Sequence, residues 1–138
     1  MRFFLGILIA SFLCLSAHAN ENTANAKAAQ SIIDQQINAF LKDDAASAYS
    51  FADPGIKSIF PTPDAFIAMV KRLYAPIYRP QTYRFAKTIE QEGTLVQSVL
   101  IKAQDGGSFE ALYTLVKQSD GSWKIVAVAL QQLPGIDT

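Results

Sequence analysis

From Lys27 onward the apolar residues fall three and four positions apart, with Ile33, Ile37, Phe40 and Leu41 on one helical face. Asp43-Asp44 end that helix and cap a second, Ala45 to Phe51, whose apolar positions are Ala48, Tyr49 and Phe51. Asp53-Pro54-Gly55 reads as a turn, and Gly55 to Phe60 as a single helical turn or short helix. Thr62-Pro63-Asp64 is a helix start: a hydroxyl N-cap, a proline that needs no donor, and a carboxylate facing the positive helix end. The buried stripe of that third main helix is Phe66, Met69, Val70 and Leu73, and Pro76 is expected to stop it near Ala75.

After Pro76 the period shortens towards two. Four strands are expected: Tyr78 to Glu90, Thr94 to Ala103, Ser108 to Lys117 and Trp123 to Gln132. Glu92-Gly93, Asp105-Gly106-Gly107 and Asp120-Gly121 supply the turns, so the strands form an antiparallel meander. Helices first and strands second give an α+β fold, with N-terminal helices packed on one face of a four-stranded antiparallel sheet. The other face is also rich in apolar residues. Leu112, Val116, Val126, Val128 and Leu130 fall out of phase with Phe109, Ala111, Tyr113 and Leu115. Too little chain is left for a second layer, so a homodimer through the sheet is expected.

The first residues follow a different pattern. Arg2 precedes an uncharged, mostly apolar run from Phe3 to Leu15, and Ala17-His18-Ala19 fits a small-x-small cleavage site before Asn20. The run is too short to span a bilayer. Residues 1–19 are therefore expected to be a signal peptide, 20–26 a disordered lead-in, and 27–138 a single domain. Localisation would be periplasmic or secreted, with no membrane anchor after cleavage.

Removal of that leader changes the chemistry. The 138-residue chain has 12 Lys+Arg, 12 Asp+Glu, one His and one Cys. His18 and Cys14 both lie in the leader. A mature chain without imidazole or thiol excludes Ser-His-Asp and Cys-His nucleophiles, His/Cys zinc sites and disulfides. No metal and no cofactor are expected. Net charge near zero speaks against a nucleic-acid partner.

Several segments carry a resemblance. Ile37-Asn38-Ala39-Phe40-Leu41-Lys42-Asp43-Asp44 and the closing Asp120-Gly121-Ser122-Trp123-Lys124-Ile125 resemble the nuclear transport factor 2-like (cystatin-like cone) superfamily. More narrowly, Phe51-Ala52-Asp53-Pro54-Gly55-Ile56, Tyr74-Ala75-Pro76-Ile77-Tyr78-Arg79-Pro80 and Ala111-Leu112-Tyr113 resemble an exported bacterial domain-of-unknown-function family, number 4864. The resemblance implies a curved sheet wrapped around helices, with a cavity between them. It implies no activity.

Within such a cone, enzymes like ketosteroid isomerase set a carboxylate base beside hydroxyl donors. Asp34 flanks the first helical stripe and Asp44 precedes the second helix. These are the two carboxylates an isomerase or dehydratase would use with a tyrosine; the structural alternatives are a solvated shoulder residue and a helix cap. No strand places an acid on the expected inner face. The neutral polar groups expected there are Gln97, beside Leu95, Val99 and Ile101, and Gln131, beside Ile125, Ala127 and Ala129; Gln36 adjoins the first stripe. Ala127 and Ala129 would leave room beneath the helices. Tyr74, Tyr78 and Arg79 are candidates for a pocket mouth, and Tyr49, Tyr83 and Tyr113 for its lining, against ordinary core packing for each. Trp123 is read as structural. The favoured reading is a non-catalytic domain holding a small apolar or aromatic ligand through Gln36, Tyr49, Tyr74, Tyr78, Arg79, Gln97, Tyr113 and Gln131. Besides the acid-base enzyme, the other alternative is an interaction module docking on the sheet face.

Overall fold

A computed structural model describes residues 14–135. The first thirteen residues of the expected leader lie outside the described residues. Helix α1 spans Cys14–Leu41. Its buried face repeats as Ala29, Ile33, Gln36, Ile37 and Phe40. The segment 20–26, expected as a lead-in, is helical and continuous with the rest of α1; Asn25 donates to Glu90 Oε1 at 2.9 Å. Alanines at 24, 26, 28 and 29 favour helix over a frayed coil. Leu41 closes the helix 43% exposed rather than buried, because Ala39 and Phe40 take the inward positions of the last turn. The helix stops where Asp43 turns left-handed, at φ 55°, and the Asp44 amide reaches back to the Ala39 carbonyl at 2.8 Å.

Three short helices follow, each started by its own side-chain cap. Asp44 accepts from the Ser47 amide at 3.1 Å to begin α2 (Ala45–Ser50). Asp53 accepts from Ile56 at 3.0 Å to begin α3 (Pro54–Ile59). Thr62 accepts from Ala65 at 3.1 Å to begin α4 (Pro63–Leu73). The buried face of α4 is Phe66, Ile67 and Val70, with Met69 half-buried. Leu73, expected in the stripe, is 57% exposed at the helix end. Pro76 does not lead directly into a strand. It sits in the first turn of α5 (Ala75–Tyr78), where its missing donor costs nothing, and the first strand starts later, at Pro80.

The sheet is β1 (Pro80–Gln91), β2 (Thr94–Ala103), β3 (Ser108–Lys117) and β4 (Trp123–Gln132), antiparallel in the order β1-β2-β3-β4 and not closed. Glu92 and Gly93 both have positive φ, 49° and 78°, as a two-residue hairpin with the right twist demands. Besides a register shift between Pro80 and Thr82 at the start of β1, two irregularities reset side-chain phase. In β1, Phe85 pairs with Val99 but Thr88 with Gln97, so Ala86-Lys87 bulge. In β4, Leu115 pairs with Ile125 but Thr114 with Ala127, leaving Val126 as the extra residue.

That second bulge overturns the expected facing of β4. Beyond it, Val128 and Leu130 pair with the inward-facing Tyr113 and Ala111 and pack against the core. Ala127, Ala129 and Gln131 point the other way and are exposed. One inserted residue inverts every side chain after it.

All helices lie on one sheet face. Ile33, Ile37 and Phe40 of α1 meet Leu95 and Val99 of β2, Tyr113 and Leu115 of β3, and Trp123 and Ile125 of β4. Each such large side chain contributes about 1.5–3 kcal/mol through burial. A parallel bridge at Ala52 and Ile125 ties the α2–α3 junction to the sheet, with Asp53 N to Ile125 O and Ile125 N to Phe51 O both at 2.9 Å. On the other face Val96, Leu100, Thr114 and Val116 are half-buried, while Leu112 and Ile89 are 39% and 50% exposed.

Candidate functional site

The α3–α4 layer and the bulged part of β4 do not close completely on each other. Between them is an apolar pocket of about 310 Å³. Phe60, Phe66, Met69 and Ile77 form its helical wall, and Ile125 to Val128 its sheet wall. The exposed Leu73 stands at its rim. Local sequence explains the gap. Pro61-Thr62-Pro63 breaks the chain between α3 and α4. The extra residue at Val126 bends the strand opposite them.

No charged side chain is among the described residues lining this pocket. Its side-chain polar groups come from Gln36, Tyr74 and Tyr113. The buried Gln36 donates from Nε2 to the Ala48 carbonyl at 3.1 Å. Tyr74 donates to the Val128 carbonyl at 3.3 Å. Tyr113 is fully buried, and its hydroxyl has no hydrogen-bond partner among the described residues. Burial, with a smaller contribution from nearby Tyr83, pushes this phenol above its ordinary range. At neutral pH it is an uncharged donor.

Of the residues expected at a site, Gln36, Tyr74 and Tyr113 are brought together here. The others are elsewhere. Tyr49 sits behind the wall, its ring 5.6 Å from that of Phe66 and its hydroxyl donating to the Phe60 carbonyl at 2.6 Å. Tyr78 and Arg79 do not form the mouth; they clamp the end of α1. Arg79 Nη2 meets Asp43 Oδ1 at 2.7 Å, its Nη1 donates to the Phe40 carbonyl, and Tyr78 donates to Asp43. The hydrogen bonds from Tyr78 and then Arg79 hold the Asp43 carboxyl below the usual carboxylate range.

Gln97 is buried on the inner face but occupied by structure. Nε2 donates to Ser98 O at 2.8 Å and to the bulge carbonyls of Ala86 and Lys87 at 3.3 Å; Oε1 accepts from Thr88 at 2.5 Å and from Gln30 at 3.2 Å. Gln131, expected inside, is on the outer face opposite Glu110. Neither expected acid reaches the pocket. Asp34 is exposed and accepts from Tyr83, while Asp44 is spent as the α2 cap and held low by Ser47. Tyr83 is correspondingly raised, first by burial and then by Asp34.

The lining residues not singled out from sequence as site residues include Phe40, Phe60, Phe66, Met69, Ile77 and the β4 bulge. Pro61-Thr62-Pro63 marked the break but not its consequence. Among the described residues no three His, Cys, Asp or Glu side chains are grouped to hold a metal, and no helix is long and apolar enough to cross a membrane.

A family model described as a domain of unknown function, DUF4864, matches residues 22–138. The chain belongs to this family. Its fold is that of nuclear transport factor 2-like proteins: it is similar to a solved NTF-2-like protein of unknown function from Silicibacter pomeroyi DSS-3. That likeness has a TM-score of 0.57 at 17% identity, over 80% of this chain and 98% of the other. A second NTF2-like protein of unknown function, from Shewanella baltica OS155, aligns over 48% of this chain and 57% of its own, at 17% identity and a TM-score of 0.38. The comparison with curated proteins finds no match.

Proposed function

We propose that this DUF4864 chain is an exported, non-catalytic binding domain whose α4–β4 pocket takes a small apolar or aromatic molecule. The observation that carries the reading is the pocket itself: about 310 Å³, apolar walls, and a few neutral polar groups. Ligand sites commonly have this composition. The acid-base alternative requires Asp34 or Asp44 beside a pocket tyrosine, and both are engaged outside it. Export is supported by Arg2, the Phe3–Leu15 run and Ala17-His18-Ala19.

The test is native mass spectrometry of protein purified from its own host. The expected spectrum carries a small-molecule mass excess that is lost on collisional activation. Bare protein mass, together with an unshifted Tm across a panel of apolar compounds, refutes the binding reading.

The partly apolar outer face favours one addition, a homodimer packed sheet to sheet. Leu112 and Ile89 are its exposed apolar positions, with Val96 and Leu100 between them. Light scattering behind size exclusion should give twice the chain mass, and Leu112→Glu should halve it. A monomeric parent protein refutes the dimer and leaves that face to a foreign partner.

A further inference from the structure

We propose that the Gln36 amide oxygen is the polar anchor of the pocket, and that the ligand is an uncharged apolar molecule carrying a hydrogen-bond donor: an alcohol, a phenol or a ring N–H. This deepens the binding reading above and rests on it. Gln36 borders the pocket from the buried face of α1, one turn before Phe40, and is only 4% exposed. Chemistry fixes which way its amide faces. The Ala48 carbonyl can accept only from the amide nitrogen, at 3.1 Å, so the oxygen is the branch that points elsewhere. Among the described residues nothing donates to that Oε1. Nor is it one of the fully buried unpartnered oxygens, which are Glu90 Oε2 and the Tyr113 hydroxyl. It therefore keeps surface of its own, and the α4–β4 pocket is the cavity that Gln36 borders. Buried amide oxygens are normally paired, so an open acceptor on a pocket wall is completed by a donor that arrives with the ligand.

The rest of the lining sets the ligand's charge. Tyr74 gives its proton to the Val128 carbonyl, and the Tyr113 hydroxyl has no accessible surface to offer. No Asp or Glu is among the described residues of the wall, so an ammonium donor would be desolvated without a counter-charge; the lack of Lys and Arg does the same to an anion. A neutral O–H or N–H meets the amide oxygen without that cost. The remaining surface offers apolar contact, from Phe60, Phe66, Met69 and Ile77.

The test is calorimetric titration of the purified full chain and of Gln36→Met with p-cymene, thymol and thymol methyl ether, which share one frame and carry no oxygen, a hydroxyl and a methoxy group. The parent protein should bind thymol more than about threefold more tightly than p-cymene, the effect of one neutral hydrogen bond in a dry site. The methyl ether, which keeps the oxygen but has no donor, should bind no better than p-cymene. In Gln36→Met the ratio of thymol to p-cymene affinity should fall by more than about threefold, because the hydroxyl is then buried unpaired, with p-cymene affinity unchanged. A smaller preference in the parent, an ether bound as tightly as thymol, or a smaller fall in the variant overturns the proposal while leaving the pocket a binding site. A water held by Gln36 would give the first of these results. Failure of all three probes to bind overturns the proposal, and with the bare-mass result above it overturns the binding reading as well. Gln36→Met also gives up the bond to Ala48, so a cooperative urea transition followed through Trp123 checks that the variant is folded. If it is not, the three affinities of the parent decide by themselves.

Discussion

Replacing Gln97 with methionine tests whether the polar centre of the inner sheet face holds β1 in place. The two chains are similar in length and both unbranched, so Gln97→Met keeps the volume and removes the hydrogen bonding. Two bonds are short, to Ser98 O at 2.8 Å and from Thr88 at 2.5 Å, and three are longer, at 3.2–3.3 Å. At about 1 kcal/mol for each short bond and about half that for each longer one, the gross loss is about 3–4 kcal/mol. Water can reach the carbonyls of Ala86 and Lys87, both exposed, and the methionine side chain buries better than an amide. Those two gains return about 1–2 kcal/mol, leaving a net destabilisation of about 2 kcal/mol. Urea unfolding followed through Trp123, the chain's single tryptophan and a buried one, measures it directly. The midpoint should fall with an unchanged m-value, and amide exchange should accelerate between Phe85 and Glu90. A loss under about 0.5 kcal/mol, or a gain, would refute the reasoning: the bulge would then be held by backbone pairing alone.

The clamp at the end of α1 has a pH signature. Asp43 is held below its ordinary value of 3.8 by Tyr78 and Arg79, so its contribution is present above that value and is lost as pH falls through the folded-state pKa. The stability gap between the parent and Arg79→Met should therefore be constant near neutral pH and narrow below about pH 4; a gap that stays flat to about pH 3 refutes the ion-pair account. Loss of the Phe40 carbonyl bond keeps the gap from vanishing. Thr62→Ala removes the cap of α4 and should cost about 1 kcal/mol by the same urea assay, with Thr62→Asp close to the parent. Equal stability of Thr62→Ala and the parent would show that the flanking prolines alone set the helix start.

What could be read from the chain was mostly local. The bounds of β2, β3 and β4 match the turn signals at Glu92-Gly93, Gly106-Gly107 and Asp120-Gly121, because positive-φ residues act within two or three positions of themselves. Asp44 and Thr62 were legible as caps for the same reason: a short oxygen side chain closes on an amide three residues ahead. The α+β order and the DUF4864 likeness followed from these elements and their sequence.

Tertiary structure decided everything that depends on a partner far along the chain. An alternating strand looks the same with or without a bulge, since a bulge belongs to the pair of strands; only the β3–β4 register shows that Val128 and Leu130 turn inward and Gln131 outward. Pro76 is compatible with the end of one helix or the first turn of another, and packing of Ile77 and Tyr78 into the core selected the latter. For the polar residues, identity determined what each could donate or accept, but not to what. Gln97 is spent on a β1 bulge, Arg79 on the end of α1 and Asp34 on Tyr83, all at least ten residues away. Tyr113 was legible as one more inward tyrosine. Its hydroxyl is set apart from the others by the structure, because having no partner among the described residues is a property of the whole surrounding shell.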